Sequence, residues 1–322
     1  MSLSRTEIIK TAFAEASRVL AKCKVSLTEP VDIFKIIDNY NVVLNFQRLE
    51  NLAGAYIPET EERRAGILIN ENLPLTRQRY TAAHEFCHFI RGDSASFDTS
   101  EELFYESYKR EDKERIAEEF ASCLLMPRRL VMSIHKNIGI RDSELINPRT
   151  VYDLSLRMGT SYQATLNRLF TLNIIKTTKK YAELDVEPIE IKKEYGIDKL
   201  SSSWNNIWIL SEEEKNSTIY PNVGDEVRIL LEENPTTGYK WIISPDIEGV
   251  TTFWNSFHED SSLFGGSGIR NIILKIEEIQ DIKLNLYNNR PWRPLSDSIN
   301  MFNLNISVQK KRHGIHINNL VA

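Results

Sequence analysis

Near residue 181 of its 322, this chain changes its hydrophobic period, and that change limits what it can fold into. Before it, apolar residues recur at helical spacing. Ile8, Ile9, Phe13, Ala16 and Leu20 mark one helix, and Val31, Ile33, Ile36 and Ile37 mark another after Pro30. Strand-like runs interrupt these helices at Val42-Val43-Leu44, from Ala53 to Ile57 and from Gly66 to Asn70. Beyond the change, short β-rich runs alternate with turns: Ile207 to Leu210, Val227 to Leu231, Ile272 to Ile276, Lys283 to Tyr287 and Phe302 to Ile306. An α+β organisation is expected. A mostly helical domain with a small sheet should span residues 1–185, and an all-β sandwich or barrel should span 204–310. Residues 186–203, charged and punctuated by Pro188, Gly196 and three serines, read as a linker, and 311–322 as a tail.

Within the helical half, His84-Glu85-Phe86-Cys87-His88 reads H-E-x-x-H. Residues four apart on a helix share a face, so both imidazoles can reach one metal ion. Glu85 can then lean over the site as general base, the pattern of a zinc-dependent peptidase. Thr81, Ala82 and Ala83 before the motif and Gly92 after it supply the helical context. Catalytic zinc usually takes three protein ligands and leaves one position open. The helix around 113–121 offers the third. Ala117 and Ala121 lie on or beside the face of Glu114 and allow close approach; Glu114 is the candidate, with Glu118 one turn on in reserve. Pro127 ends this helix.

Composition narrows the setting. A net charge of −5 gives no global pull toward nucleic acid or anionic membrane. No apolar run reaches membrane-spanning length, and residues 1–10 lack the apolar core of a signal peptide. Three irregularly spaced cysteines, Cys23, Cys87 and Cys123, argue against a disulfide framework and suit a reducing cytoplasm.

The stretches from Arg77 to His88 and from Glu114 to Pro127 together resemble the ImmA/IrrE family of metallopeptidases. The resemblance covers about residues 1–180 and implies a zincin-like domain. One Zn2+ would be held by His84, His88 and Glu114, with Glu85 as catalytic base. Gly54 and the Ile67-Leu68-Ile69-Asn70 run look like that family's approach to the metal helix, and Cys87 departs from its usual small residue. Members cleave regulatory proteins, often helix-turn-helix repressors, so the resemblance implies such a substrate. For the oxyanion donor the sequence offers His135, Tyr105 and Tyr108 without selecting among them.

A rival reading starts from residues 128–180, which hold ten basic and three acidic side chains. The run from Leu156 to Leu169 resembles half of a helix-turn-helix, with Gly159 in the turn and Ser161 as N-cap. A DNA-binding regulator, or a binding protein with a structural zinc, is the alternative. Similar helices occur in the same peptidase family, and the peptidase reading is preferred.

In the β-rich half, Asn234-Pro235-Thr236-Thr237-Gly238-Tyr239 forms a turn between two expected strands. Gly265-Gly266-Ser267-Gly268 precedes a strand and Arg290-Pro291-Trp292 follows one. Together these three loops resemble those of chagasin-like inhibitors, which wedge into the cleft of papain-type cysteine peptidases. The resemblance spans about residues 204–309 and implies an immunoglobulin-like sandwich with a cysteine peptidase as partner, or regulation of the metallopeptidase in cis. Ser267 and Ile272 depart from the family pattern, and Tyr287 sits one residue out of place. Trp292 and Tyr239 would either contact the partner or cap the sandwich core.

Overall fold

In a computed structural model, the structure describes residues 3–99, 111–137, 146–195, 205–244, 248–259 and 267–316. The chain forms two compact units whose membership interleaves. One comprises Met1–Ile134, Met158–Tyr181 and Lys311–Ala322; the other comprises His135–Arg157 and Ala182–Lys310.

The first unit opens with α1 (Arg5–Lys22), started by a capping box in which Ser4 Oγ accepts from the Glu7 amide and Glu7 accepts from the Ser4 amide. Its buried stripe of Ile8, Ala12, Ala16 and Val19 packs on a later helix, α4 (Asp112–Leu125). Between them in sequence come α2 (Ile33–Asn39), the strands β1 (Val43–Gln47), β2 (Leu52–Ile57) and β3 (Gly66–Asn70), then α3 (Leu75–Arg91) and β4 (Ser96–Thr99). These strands match the three runs read from the sequence, with β4 added. Helix α3 lies on β2 and β3 and against α4, with Phe86 buried at its centre.

The sheet has five strands in the order β13-β1-β3-β2-β4, where β13 is Gly314–His316. β1 and β3 run parallel; the other neighbours are antiparallel. The expected tail therefore contributes an edge strand, pairing Leu44 with His316 and Phe46 with Gly314. Just before it, the fully buried Gln78 of α3 accepts from the Arg312 amide at 3.0 Å and donates to the Arg312 carbonyl at 3.3 Å. A side-chain amide thus imitates one more rung of the ladder, and a buried glutamine is fully used.

After α4 come α5 (Arg128–Asn137), α6 (Pro148–Met158), α7 (Tyr162–Thr171) and α8 (Thr178–Leu184). The turn after α6 is the expected one: Gly159 has φ 64°, and Ser161 caps α7 by accepting from the Ala164 amide. Two arginines of the basic stretch are nevertheless committed internally. Arg168 is buried and donates to the Met126 carbonyl and to Cys123 Sγ, while Arg157 pairs with Glu214 and donates to the Ile209 carbonyl. Neither is left to meet a phosphate, and both draw on the desolvated partners that arginine tolerates best.

In the second unit, the run expected as a linker includes a helix. Residues Pro188–Glu194 form α9, with proline at its first turn and Ile191 buried. Its strands are β5 (Ile207–Leu210), β6 (Thr218–Ile219), β7 (Glu226–Glu233), β8 (Lys240–Ile243), β9 (Val250–Glu259), β10 (Gly268–Ile276), β11 (Asp281–Asn289) and β12 (Asn300–Ser307). They make two four-stranded sheets, β5-β7-β10-β9 and β6-β12-β11-β8. Alternate residues of both sheets enter one core: Val227, Ile229 and Leu231 from β7, Ile272, Leu274 and Ile276 from β10, Leu284 and Leu286 from β11, and Phe302 and Leu304 from β12. Trp208 and Trp241 close it. A buried carboxylate, Asp225, accepts from the Asn206 and Asn222 amides and from Trp208 Nε1, so its burial is compensated by three donors. Among the described residues no helix is long and apolar enough to cross a membrane.

Candidate metal centre and loop cluster

Helix α3 carries His84, Glu85 and His88 to the bottom of the first unit, each no more than 1% exposed. The helix closes at Gly92 in the left-handed conformation, as the sequence expects. Helix α4 packs against α3, its Ala117 and Ala121 are fully buried, and its first turn meets the two imidazoles. Glu114 sits in that turn, where the helix N-terminus favours a carboxylate.

His84 Nε2 lies 3.1 Å from Glu114 Oε2, His88 Nε2 lies 3.5 Å from the same oxygen, and the two Nε2 atoms are 3.4 Å apart. Donors at ordinary zinc distances in a tetrahedral shell stand about 3.3 Å from one another. Two imidazole nitrogens and one carboxylate oxygen at these separations therefore fit a single ion of that size, and the group could hold a metal. Among the described residues it is the one such group. Glu118, half-buried one turn further along α4, is not part of it.

The electrostatics match the geometry. Burial works against the charge on Glu114, but hydrogen bonds from His84 and His88 and their fields win, and its pKa falls well below the usual carboxylate range. Burial likewise opposes charging of His88, yet contacts with Glu114 and Asp93 outweigh it and raise the pKa. Cys87 faces the interior, and burial pushes its thiol far up, so it is inert.

Glu85 lies under β2. A Cβ placed on Gly54 would stand 2.4 Å from Thr81 Cγ2, 2.8 Å from the Leu68 carbonyl oxygen and 3.5 Å from Glu85 Cγ. Glycine there lets strand and helix approach closely enough to wall in the Glu85 stem. Sequence reasoning missed Asp93, whose carboxylate accepts from His88 Nδ1 at 2.9 Å. Of the suggested oxyanion donors, Tyr105 and Tyr108 lie outside the described residues. His135 is buried, with its pKa lowered by burial, and does not join the converging group.

In the second unit the first and third loops meet. Asn234 Oδ1 accepts from the Thr236 amide at 3.1 Å and from its hydroxyl at 2.6 Å, and Thr237 Oγ1 donates to the Asn234 carbonyl. Pro235 starts a single tight turn, and Gly238, at φ 79°, ends it. Thr236 and Thr237 are exposed at the tip. Fully buried Asn289 donates to the Arg293 and Pro294 carbonyls and so closes the loop holding Arg290, Pro291 and Trp292. The Arg290 guanidinium stacks 4.7 Å from the Tyr239 ring centre, and the Trp292 ring covers Gly238, 3.1 Å from where a Cβ would be. Trp292 is 70% exposed, so it does not cap the core; Trp241, 3% exposed, does. Gly265 and Gly266 of the second loop lie outside the described residues. Gly268, at the head of β10, is buried against Phe257 and the His258 carbonyl.

Comparison with known proteins matches two separate stretches of the chain. Residues 37–170 match the IrrE N-terminal-like domain, a peptidase family, and residues 221–306 match the chagasin family of peptidase inhibitors. Amoebiasin-1 of Entamoeba histolytica is 30% identical over 102 residues, 31% of this chain and 98% of that protein. Amoebiasin-2 of the same organism is 30% identical over 95 residues, 29% of this chain and 77% of that protein. Among solved structures, a cysteine protease inhibitor from Entamoeba histolytica aligns at 23% identity over 33% of this chain and 98% of its own, with a TM-score of 0.30.

Proposed function

The chain belongs to the chagasin family of peptidase inhibitors through residues 221–306 and carries an IrrE N-terminal-like peptidase domain over 37–170, and from that premise we propose a bifunctional protein. Its first unit is a zinc-dependent endopeptidase of the cytoplasm that cleaves a regulatory protein such as a helix-turn-helix repressor. Its second unit, an immunoglobulin-like sandwich, binds a papain-type cysteine peptidase in trans through the loop cluster. The convergence of His84, His88 and Glu114 on one point beside Glu85 carries the peptidase reading.

His84, His88 and Glu114 would hold the ion through Nε2, Nε2 and Oε2. When bound, zinc supplies a Lewis acid that makes water nucleophilic near neutral pH and polarises a peptide carbonyl. The rest is done by side chains. Glu85, fixed by the helix and by the glycine wall of β2, accepts the proton of the attacking water on its carboxylate and delivers it to the departing amine nitrogen. Burial of His84, Glu85 and His88 makes each of their charged contacts stronger than at the surface. In the second unit, Trp292 and the Asn234 to Gly238 turn are preformed and need little ordering on binding.

Glu85→Gln in the full chain tests the assignment. It should keep one zinc per chain and lower the cleavage rate of a helix-turn-helix repressor about 10²–10⁴-fold. Undiminished cleavage would remove Glu85 from its role. The full chain is required because residues 311–316 are part of the first unit's sheet and of its contact with Gln78.

A further inference from the structure

We infer that Asp93 is a positioning residue that fixes the tautomer and the orientation of His88 for the ion, an inference that rests on the zinc site proposed above. Helix α3 stops at Gly92, and the reversed turn that follows is closed by the Asp93 amide donating to the His88 carbonyl at 3.0 Å. That bond returns residue 93 over the last helical turn. Its carboxylate then meets His88 Nδ1 at 2.9 Å. Because the His88 ring is fully buried, no bulk water competes for that nitrogen.

A neutral imidazole carries one ring proton, and the partner of one nitrogen decides the state of the other. With Nδ1–H donating to Asp93, the lone pair sits on Nε2, the atom that faces His84 Nε2 at 3.4 Å and Glu114 Oε2 at 3.5 Å. Asp93 is itself held. Arg91 Nε stands 3.6 Å from the same Oδ2, and Arg91 Nη1 stands 3.3 Å from Glu15 Oε1 on α1. The chain of contacts runs from α1 through Arg91 and Asp93 to His88, and it sets the ring angle without touching the ion. Partners of this kind alter metal affinity by about 10–100-fold when removed.

The test uses the full chain and zinc alone, with affinity measured by competition against a chromophoric chelator. Asp93→Ala should weaken zinc binding about 10–100-fold, and Asp93→Asn, which keeps an oxygen acceptor for Nδ1–H, should recover part of the loss. Arg91→Ala should weaken it less than Asp93→Ala. In the zinc-loaded wild type, ¹⁵N shifts of His88 should report a protonated Nδ1 and a metal-bound Nε2. This readout needs no variant and is one that a purely structural role would not require. Wild-type affinity in both Asp93 variants, or a zinc-bound His88 that lacks a proton on Nδ1, would overturn the inference while leaving the zinc site intact. A wild-type chain that binds no zinc would instead overturn the reading on which it rests.

Discussion

His84, His88 and Glu114 meet inside the first unit because α3 and α4 pack together, whereas Gly238, Tyr239, Arg290 and Trp292 meet at the surface of the second because two loops are pinned at their ends. The histidines of the helical site are buried, and its charged groups are matched to one another; a lost partner there leaves an uncompensated buried group. The loop cluster keeps a large aromatic side chain 70% exposed, outside the sandwich core. The first arrangement suits chemistry on a small centre and the second suits contact with a large partner. The two should accordingly fail independently.

Chelation should separate them most sharply. Removing zinc should abolish repressor cleavage and leave inhibition of papain unchanged in the same sample. Loss of both activities would show that the units are not independent. Trp292→Ala should do the reverse. Papain inhibition should weaken about 30-fold or more, in line with an aromatic anchor worth on the order of 2 kcal/mol, while zinc content and cleavage stay constant. Unchanged inhibition would move the contact to another surface.

The smallest expected effect concerns stability in the second unit. Burial raises the carboxyl of Asp153 from 3.8 to about 6, against the pull of Arg157 at 3.7 Å. The folded chain then holds this proton more tightly than the unfolded chain, so the carboxyl favours folding at acid pH. That benefit is present below about pH 3.8 and is lost as pH rises through about 6. Asp153→Asn should therefore raise stability at pH 7, by on the order of 1–2 kcal/mol, and change it little at pH 4. Denaturant titrations at the two pH values measure this, and equal effects at both would refute it.

The two regions were also unequally legible. The H-E-x-x-H motif could be placed at once because helical spacing alone puts His84 and His88 on one face. Glu114 needed the alanine face of a second helix and a family resemblance, since nothing local distinguishes it from Glu118. Asp93 could not be read, because its contact with His88 exists only through the turn at Gly92. Strand β13 was invisible for a different reason: its partner β1 lies some 270 residues earlier, and three residues carry no pattern of their own. Helix α9 was hidden by its charges, with Ile191 as its single buried apolar anchor. The loop at Asn234 was legible because Asn-Pro and Gly dictate its backbone, while the Arg290–Tyr239 stack depends on a strand pairing between β8 and β11.

Zinc content decides most directly whether three side chains from α3 and α4 form one metal centre. Elemental analysis of the purified full chain should give one zinc per molecule, falling to background in His84→Ala and sharply reduced after dialysis in Glu114→Ala. A wild-type chain without zinc, or a Glu114→Ala chain that retains a full equivalent as tightly as wild type, would contradict it.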